Sequence, residues 1–193
     1  MLVLASSSPR RKELLTQAGY QFQIIPANIP EARLANEDPT TFVTRLAREK
    51  AQFVAQRILD QPASHREQDP ILVLGADTIV VASEEVLGKP SDAEDAARML
   101  RLLSGRIHQV ITGVCLISNE ATEVAAETTA VTMKELTAAE IADYIATGEP
   151  MDKAGAYAIQ GYAARWIPRI QGCYFNVVGL PLASVASMIE GVK

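Results

Sequence analysis

LVLASSSPRRKELLTQA, residues 2–18, begins with a short apolar run and continues through three serines into the start of a helix. The run from Leu2 to Ala5 predicts a buried strand, and the stretch from Pro9 to about Ala18 predicts a helix that Gly19 ends. Proline suits the first helical position, where its missing N–H would have no intrahelical partner, and Ser8 suits the N-cap. A strand joined to a helix by a short serine turn indicates an α/β fold.

The rest of the chain continues this alternation of strand and helix patterns. Strands are predicted at 21–26, 71–81, 107–118 and 122–133, and helices at 38–59, 91–105, 137–148 and 182–190. The segments 27–37 and 61–70 are interpreted as loops, and a glycine-rich loop is predicted over 148–161. We expect one domain over residues 1–193, of α/β class mixed with α+β, in which helices flank a central mixed sheet.

Several local signals define helix ends and turns. Asp38 with Pro39 predicts one helix start, and two S/T-x-x-E capping boxes predict two more. These boxes are Ser91 with Glu94 and Thr137 with Glu140. A turn is predicted at 83–85, after which the chain leads back through Val86 and Leu87. A hairpin is predicted around Gln171 and Gly172.

Composition excludes several classes of protein. The chain has 193 residues, 48% of them hydrophobic, and a net charge of −5, which argues against a broad nucleic-acid surface. Cys115 and Cys173 have no CxxC spacing and no neighbouring histidine, so we interpret both as reduced thiols that fill the core. The apolar start is too short for a signal segment, and there is no 18-residue apolar run. We therefore expect a soluble, cytoplasmic protein without membrane contact.

Two arginines lie where the first helix begins. Arg10 and Arg11 follow Pro9, so they fall in the first helical turn, where the backbone already carries partial positive charge. A cation there costs about 0.3 to 1 kcal/mol unless an anion offsets it. Serine hydroxyls, free N–H groups and two guanidinium groups around one helix start predict a phosphate cradle.

Asp77 breaks the pattern of its strand. It is the only ionisable residue in ILVLGADTIVV, residues 71–81. An isolated carboxylate in an apolar strand is costly unless it is paired, protonated or bound to metal. One interpretation is a bend at Gly75 that lets Asp77 cap a turn; the other is a metal ligand or a general base.

Lysines at three positions are further candidates. On a helical wheel of residues 38–59, Lys50 lies near the centre of an apolar stripe formed by Phe42, Val43, Leu46, Ala47, Phe53 and Val54. It is either a snorkelling side chain or a lysine in a cleft. Lys89 and Lys153 lie in loops and are ambiguous, as is Glu31 in the loop at 27–37. His65 and His108 have no second ligand at metal spacing, so we assign them no role.

The motifs taken together resemble a known family. SSSPRRKELL, LAREKA at 46–51, GADT at 75–78, GKP at 88–90, TGV at 112–114, DKAGAYAIQG at 152–161 and VGLPL at 178–182 are similar to the Maf family of nucleoside triphosphate pyrophosphatases. The resemblance implies hydrolysis of a nucleoside triphosphate to the monophosphate and pyrophosphate with a divalent cation, Mg or Mn. It also implies a twisted sheet in two lobes around a central cleft, as in inosine-triphosphatase-like folds, and commonly a homodimer.

The resemblance also implies roles for individual residues. Asp77 matches the proton acceptor, and Glu31 matches an acid near the metal. Asp77 is also a candidate second metal ligand, so base and metal ligand both stay open for it. The implied phosphate-binding set is Ser6, Ser8, Arg10, Arg11, Lys50 and Lys89. Ser7 and Ala158 depart from the family pattern, because many relatives have glycine at both positions.

The nature of the base recognised depends on three positions. Uracil and thymine present an N3–H donor beside carbonyl acceptors, which the carboxamide of Gln160 can match with its own oxygen and NH₂ group. Arg10, Thr78 and Gln160 resemble the branch that acts on dTTP and UTP, with modified pyrimidine nucleotides as further candidates. The branch that acts on 7-methyl-GTP carries glutamate at the glutamine position.

Two other functions are consistent with the same residues. Relatives are linked with inhibition of septum formation, so the chain could bind a nucleotide as a signal and act on a cell-division partner. A phosphate-recognising enzyme of another type, such as a phosphomonoesterase, is the third alternative. Pyrophosphate or orthophosphate as the product distinguishes the two enzymes.

Overall fold

The computed structural model describes residues 1–60 and 71–192, so the loop predicted at 61–70, with His65, lies outside the described residues. It shows a mixed α/β fold in which helices flank a seven-stranded sheet, as predicted. The strands are β1 Leu2–Leu4, β2 Phe22–Ile24, β3 Leu72–Ala82, β4 Glu85–Leu87, β5 Ile107–Ile117, β6 Thr122–Thr132 and β7 Arg169–Gln171. The helices are α1 Pro9–Gln17, α2 Pro39–Leu59, α3 Ala93–Leu103, α4 Ala138–Ala146, α5 Tyr174–Val178 and α6 Leu182–Gly191.

The strand order of the sheet is β2-β1-β3-β5-β6-β7, with β4 paired to β3. β1 runs parallel to both β2 and β3, which is the arrangement that crossover helices such as α1 and α2 allow. β4 and β7 pair antiparallel with β3 and β6, so the sheet is mixed. Because β1 and β3 are parallel, the serine turn that leaves β1 lies beside the residues of β3 that follow Leu74.

Most predicted helix boundaries agree with the structure. Asp38 caps α2 by accepting hydrogen bonds from the backbone N–H groups of Thr40 and Thr41. Thr137 and Glu140 form the predicted capping box at the start of α4. The left-handed conformations of Gly19, Gly105 and Gly148 follow α1, α3 and α4, as expected for glycines that end helices.

The capping box at Ser91 was predicted wrongly. Asp92 is the N-cap of α3, and its carboxylate accepts from the backbone N–H of Asp95. Asp95 in turn accepts from the N–H of Ser91, so the serine precedes the cap. Both residue types cap helices well, and Asp92 is one position closer to the first buried turn.

Four further predictions need correction. The segment around Gln171 and Gly172 is not a hairpin: β7 ends at Gln171, pairs with β6, and α5 follows. The glycine-rich loop contains short 3-10 turns at Glu149–Asp152 and Ala154–Ala156. Cys115 is buried as predicted, whereas Cys173 is only half-buried, and Phe53, at the edge of the stripe on α2, is 42% exposed.

The chain forms two compact units. The first consists of Met1–Asp77, Thr112–Glu127 and Gly179–Lys193, and the second of Thr78–Ile111 and Thr128–Val178. A single domain with two lobes around a cleft stays a prediction. Among residues 1–60 and 71–192, no helix combines the length and the hydropathy that a membrane span requires.

In the first unit, α2 packs very closely on the sheet. A Cβ atom on Gly75 of β3 would lie 2.1 Å from the carbonyl oxygen of Ala47, and one on Gly113 of β5 would lie 2.5 Å from that of Val43. Glycine at these two positions therefore allows the helix backbone to approach the strands. Small residues on the facing turns of α2, such as Ala47 and Ala51, complete the buried cluster.

Candidate active site

Lys50 connects the two acidic side chains that the sequence analysis singled out. Its ammonium nitrogen lies 2.6 Å from Oδ1 of Asp77 and 2.5 Å from Oε1 of Glu31. The side chains of Lys50 and Asp77 are exposed to only 8% and 11%, whereas that of Glu31 is 51% exposed. Two carboxylates and one cation thus form a cluster with a buried side and an open side.

The close packing of α2 explains this meeting of charges. Gly75 and Asp77 are two residues apart on β3, so they lie on the same face of the sheet. Gly75 brings the helix backbone near that face, and Lys50 lies on the buried face of α2 between Ala47 and Ala51. Asp77 lies within β3, so it caps no turn, and Lys50 is a buried partner of a carboxylate and not a snorkelling side chain.

Burial changes the acidity of Asp77. Loss of solvent raises the pKa of its carboxyl group above the ordinary aspartate value, and the positive charges of Lys50 and Arg11 limit that rise. A carboxylate with a raised pKa is a stronger proton acceptor than an ordinary surface aspartate. The position of Asp77 is therefore suited to general-base chemistry.

Arg11 is held inside the first unit by backbone carbonyl groups. Its Nε donates to the carbonyl oxygen of Gly179 at 2.8 Å, and its Nη1 donates to that of Ala76 at 2.8 Å and to Oγ of Ser6 at 3.2 Å. Burial lowers the pKa of Arg11, while the charge of Asp77 acts in the opposite direction. The bond to Ala76, next to Asp77, joins the start of α1 to the acid on β3.

The other predicted phosphate-binding residues of this unit surround Arg11. Ser6 is buried, and its hydroxyl oxygen also accepts from the backbone N–H of Ser8 at 3.2 Å. Ser8 occupies the N-cap position of α1, but its side chain makes no capping hydrogen bond. Arg10 is half-buried in the first turn of α1. Phosphate binding by this set stays a prediction.

The loop that carries Glu31 is held by residues that sequence reasoning missed. Arg45 of α2 donates from Nε and Nη2 to the two carboxylate oxygens of Glu37, at 2.6 and 2.8 Å, and from Nη2 to the carbonyl oxygen of Ala32 at 3.0 Å. This pairing lowers the pKa of Glu37 to about 2. Glu37 and Arg45 are eight positions apart, so the i,i+3 and i,i+4 spacing of helical ion pairs does not predict their contact. The only signal in the sequence is that two opposite charges lie near the end of this loop.

Three predicted site residues belong to the second unit. Thr78 follows Asp77 in β3 and is half-buried, and Lys89 is exposed just after β4. Gln160 is exposed in a turn that follows a buried run from Gly155 to Ile159. Their roles in substrate binding stay predictions.

Comparison with known proteins assigns the chain to a family. The family model described as Maf-like protein matches residues 1–192. The chain belongs to the Maf family. A protein of Koribacter versatilis named dTTP/UTP pyrophosphatase is 54% identical over 98% of this chain and 93% of its own length. Proteins of the same name from Geobacillus sp. and Vibrio parahaemolyticus are 51% and 49% identical, over 98% of this chain and 96% and 95% of their own lengths.

One solved structure, the Ham1 protein of Staphylococcus aureus, aligns with 100% of this Maf chain and 99% of its own. The sequence identity is 14% and the TM-score is 0.47. Similarity at that level carries no argument about the function of the Maf protein.

The acidic pair of this Maf chain fits a hard divalent cation. Within the described ranges, no group of three or more His, Cys, Asp or Glu side chains is arranged to hold a metal ion. Glu31 and Asp77 nevertheless present carboxylate oxygens to one ammonium group. Mg²⁺ is commonly held by one or two carboxylates together with substrate phosphates, so two acids are sufficient for a cation that arrives with a nucleotide.

His108 received no role in the sequence analysis. It is buried in the second unit, and its Nε2 is 2.7 Å from the hydroxyl oxygen of Tyr157. Burial lowers the pKa of His108 to about 4, so the ring is neutral at pH 7.

Proposed function

We propose that this chain is a nucleoside triphosphate pyrophosphatase that hydrolyses dTTP and UTP to the monophosphate and pyrophosphate. The observation that carries the proposal is the bridge of Lys50 between Asp77 and Glu31, beside the arginine-rich start of α1. Support for the substrate comes from relatives at about half identity over nearly the whole chain, which are named dTTP/UTP pyrophosphatases.

The reaction suits the charges at this site. Water attacks the α-phosphorus in line, the bond from that phosphorus to the bridging oxygen breaks, and pyrophosphate leaves. Asp77 accepts the proton of the attacking water, because burial raises the pKa of its carboxyl group. Lys50, Arg10 and Arg11 offset the charge of the phosphates.

A divalent cation, Mg or Mn, completes the proposal. Glu31 would hold it, with Asp77 as a second ligand only if that carboxylate is not the base, and the cation would supply charge neutralisation for the phosphate oxygens. Lys50 bridges the same two acids, so its ammonium group keeps the carboxylates together. Removal of divalent ions is expected to abolish turnover.

We assign base selection to Arg10, Thr78 and Gln160. Lys89, Ser6 and Ser8 are assigned to phosphate binding. An amide at position 160 can accept from the N3–H of uracil or thymine and donate to a carbonyl oxygen of the base. Guanine presents two adjacent donors, which a carboxylate would suit better. Modified pyrimidine nucleotides are further candidate substrates.

We also propose a homodimer located in the cytoplasm. The two cysteines of the chain are free thiols, as is common in reducing compartments. Light scattering coupled to gel filtration measures the oligomeric state. A monomer at micromolar concentration would contradict the dimer without affecting the assignment of the reaction.

The test of the reaction is a panel of triphosphates with product analysis. The purified protein is expected to release pyrophosphate, and no orthophosphate, from dTTP and UTP, with kcat/KM for both exceeding that for GTP and 7-methyl-GTP. Asp77→Asn should reduce kcat by roughly 10²- to 10⁴-fold, the usual contribution of a general base. Asp143→Asn, at an exposed position of α4, is the matched control. A preference for 7-methyl-GTP, or orthophosphate as the product, would contradict the proposal.

A further inference from the structure

The turn that presents Gln160 is held at both ends by one chain of hydrogen bonds. The backbone N–H of Ala158 donates to the hydroxyl oxygen of Tyr144 at 3.2 Å, and that hydroxyl donates to Oε1 of Glu149 at 2.8 Å. On the other side of Gln160, the N–H of Tyr162 donates to Oε1 and Oε2 of Glu149 at 3.1 and 3.2 Å. We propose that Tyr144 and Glu149 are positioning residues for Gln160 and hence determinants of pyrimidine specificity.

The inference rests on the proposed function, because it concerns how that enzyme selects its base. Gln160 itself is exposed and lies in a turn, so the backbone of that turn sets the position from which its amide extends. The groups that hold the turn are rigid in comparison. Tyr144 is fully buried in α4, packed edge-to-face against Trp166 with ring centroids 5.1 Å apart and stacked on Tyr162 at 5.5 Å.

Glu149 is itself fixed by its surroundings. It begins the 3-10 turn Glu149–Asp152, where its N–H donates to Oγ1 of Thr147 at 3.1 Å. Its carbonyl oxygen accepts from Nζ of Lys153 at 2.6 Å. The carboxylate therefore projects from an anchored backbone. Both flanks of the turn at 158–162 are hydrogen-bonded to it, Tyr162 directly and Ala158 through the hydroxyl group of Tyr144.

Gly161 gives an independent steric observation. Its φ of −103° is open to any residue, so backbone strain does not require glycine there. A Cβ atom at this position would nevertheless lie 2.3 Å from Oε1 of Glu149 and 2.6 Å from its Cδ. Glycine therefore provides the space that the carboxylate needs to reach the N–H of Tyr162.

The expected consequence is a loss of discrimination between bases, with the phosphate chemistry retained. UTP and CTP share the ribose and the triphosphate, but N3 is a donor in uracil and an acceptor in cytosine. An amide that extends from a fixed backbone position can be placed against one pattern of donors and acceptors, whereas an amide on a displaced turn discriminates less between the two bases. A merely structural role for Tyr144 would change stability and leave the ratio of the two substrates unaltered.

The experiment measures kcat/KM for UTP and CTP in Tyr144→Phe and Gly161→Ala. Tyr144→Phe removes one oxygen atom, and Gly161→Ala adds one methyl group that displaces the Glu149 carboxylate. We expect each to reduce the UTP-to-CTP ratio by roughly tenfold, the size of one lost hydrogen bond, mainly through KM. Tyr174→Phe, at a 41% exposed ring, and Gly191→Ala, whose Cβ would make only an ordinary contact with Oε1 of Glu123 at 3.9 Å, are the matched controls and should keep the wild-type ratio.

The outcomes separate this inference from the proposed function. A wild-type protein that does not hydrolyse UTP overturns both. A wild-type protein that prefers UTP, with unchanged ratios in both folded variants, overturns only the positioning role of Tyr144 and Glu149. If Gly161→Ala does not fold, the ratio in Tyr144→Phe decides, because that change leaves the ring and its packing in place.

Discussion

The ammonium nitrogen of Lys50 lies 2.6 Å from Oδ1 of Asp77, and both side chains are buried. The lysine belongs to α2 and the aspartate to β3, so this contact joins the two elements that Gly75 allows to approach each other. Each charge in such a pair depends strongly on the other, because too little water reaches either group to solvate it when its partner is removed.

Replacing Lys50 with methionine should destabilise the protein and reduce turnover. Lys50→Met keeps most of the apolar volume but leaves the Asp77 carboxylate without its buried partner, which typically costs about 3 to 5 kcal/mol. We also expect kcat/KM for UTP to fall by about 100-fold or more, because the cation that bridges the two acids of the proposed site is removed. Urea unfolding and steady-state kinetics measure the two effects, with Lys12→Met on the exposed side of α1 as control.

A double variant distinguishes the causes of these losses. Adding Asp77→Asn to Lys50→Met removes the uncompensated charge, so the free energy of unfolding should recover while activity stays low. Additive losses of stability in the double variant would mean that the two side chains do not act as a pair.

Glu31 should control the response to divalent ions. Treatment with a chelator is expected to abolish hydrolysis, and added Mg or Mn should restore it. Glu31→Gln should raise the metal concentration for half-maximal activity by about tenfold or more, since even outer-shell partners of metal sites contribute that much. Glu13→Gln, at an exposed position of α1, is the control. An unchanged metal dependence in Glu31→Gln would remove this residue from the proposed cation site.

Gly75→Ala should be among the most destabilising methyl additions in the first unit. The new Cβ would lie 2.1 Å from the carbonyl oxygen of Ala47 and 2.9 Å from the backbone nitrogen of Ala51, neither of which can rotate away. Overpacking of this kind typically costs about 1 to 3 kcal/mol, and a backbone collision places it at or above the upper end. Thermal unfolding should show a clear decrease in Tm, whereas Gly88→Ala, which meets no atom within 4 Å, should unfold near the wild-type temperature.

His108 should make the protein less stable in mild acid. Burial lowers its pKa to about 4 from the ordinary 6.5, so between these values the unfolded chain binds a proton that the folded protein does not. The free energy of unfolding is therefore not reduced by His108 above about pH 6.5. It decreases as the pH falls toward 4, and His108 causes no further decrease below that. The full decrease is about 3 kcal/mol.

His108→Gln tests this prediction, because an amide can still bond to the hydroxyl of Tyr157 but does not titrate in this range. Urea unfolding at pH 7.5 and pH 5 should show a smaller difference for His108→Gln than for the wild type. Equal differences in the two proteins would assign the acid sensitivity to other groups.

Local patterns in the sequence were sufficient for the individual elements. The apolar alternation of β5 and β6, the Asp38 cap of α2 and the Thr137 box of α4 each depend on residues within a few positions of one another. The error at Ser91 arose because neighbouring residues offered equivalent signals, and the error at Gln171 arose because the partner strand is distant in sequence. β7 pairs with β6 about forty residues earlier, and short-range turn preferences carry no information about such a partner.

The sequence by itself determined which side chains break the local pattern: a carboxylate in an apolar strand, a lysine on the buried face of a helix and two arginines at a helix start. Only the tertiary structure decided their partners. Lys50 bridges Asp77 and Glu31, Arg11 binds the carbonyl groups of Ala76 and Gly179, and Arg45 holds the loop through Glu37. The physical reason is that burial makes any charge costly, so a charged residue within an apolar sequence pattern can be recognised from the sequence. The group that offsets this charge depends on which backbone segments pack together in the fold.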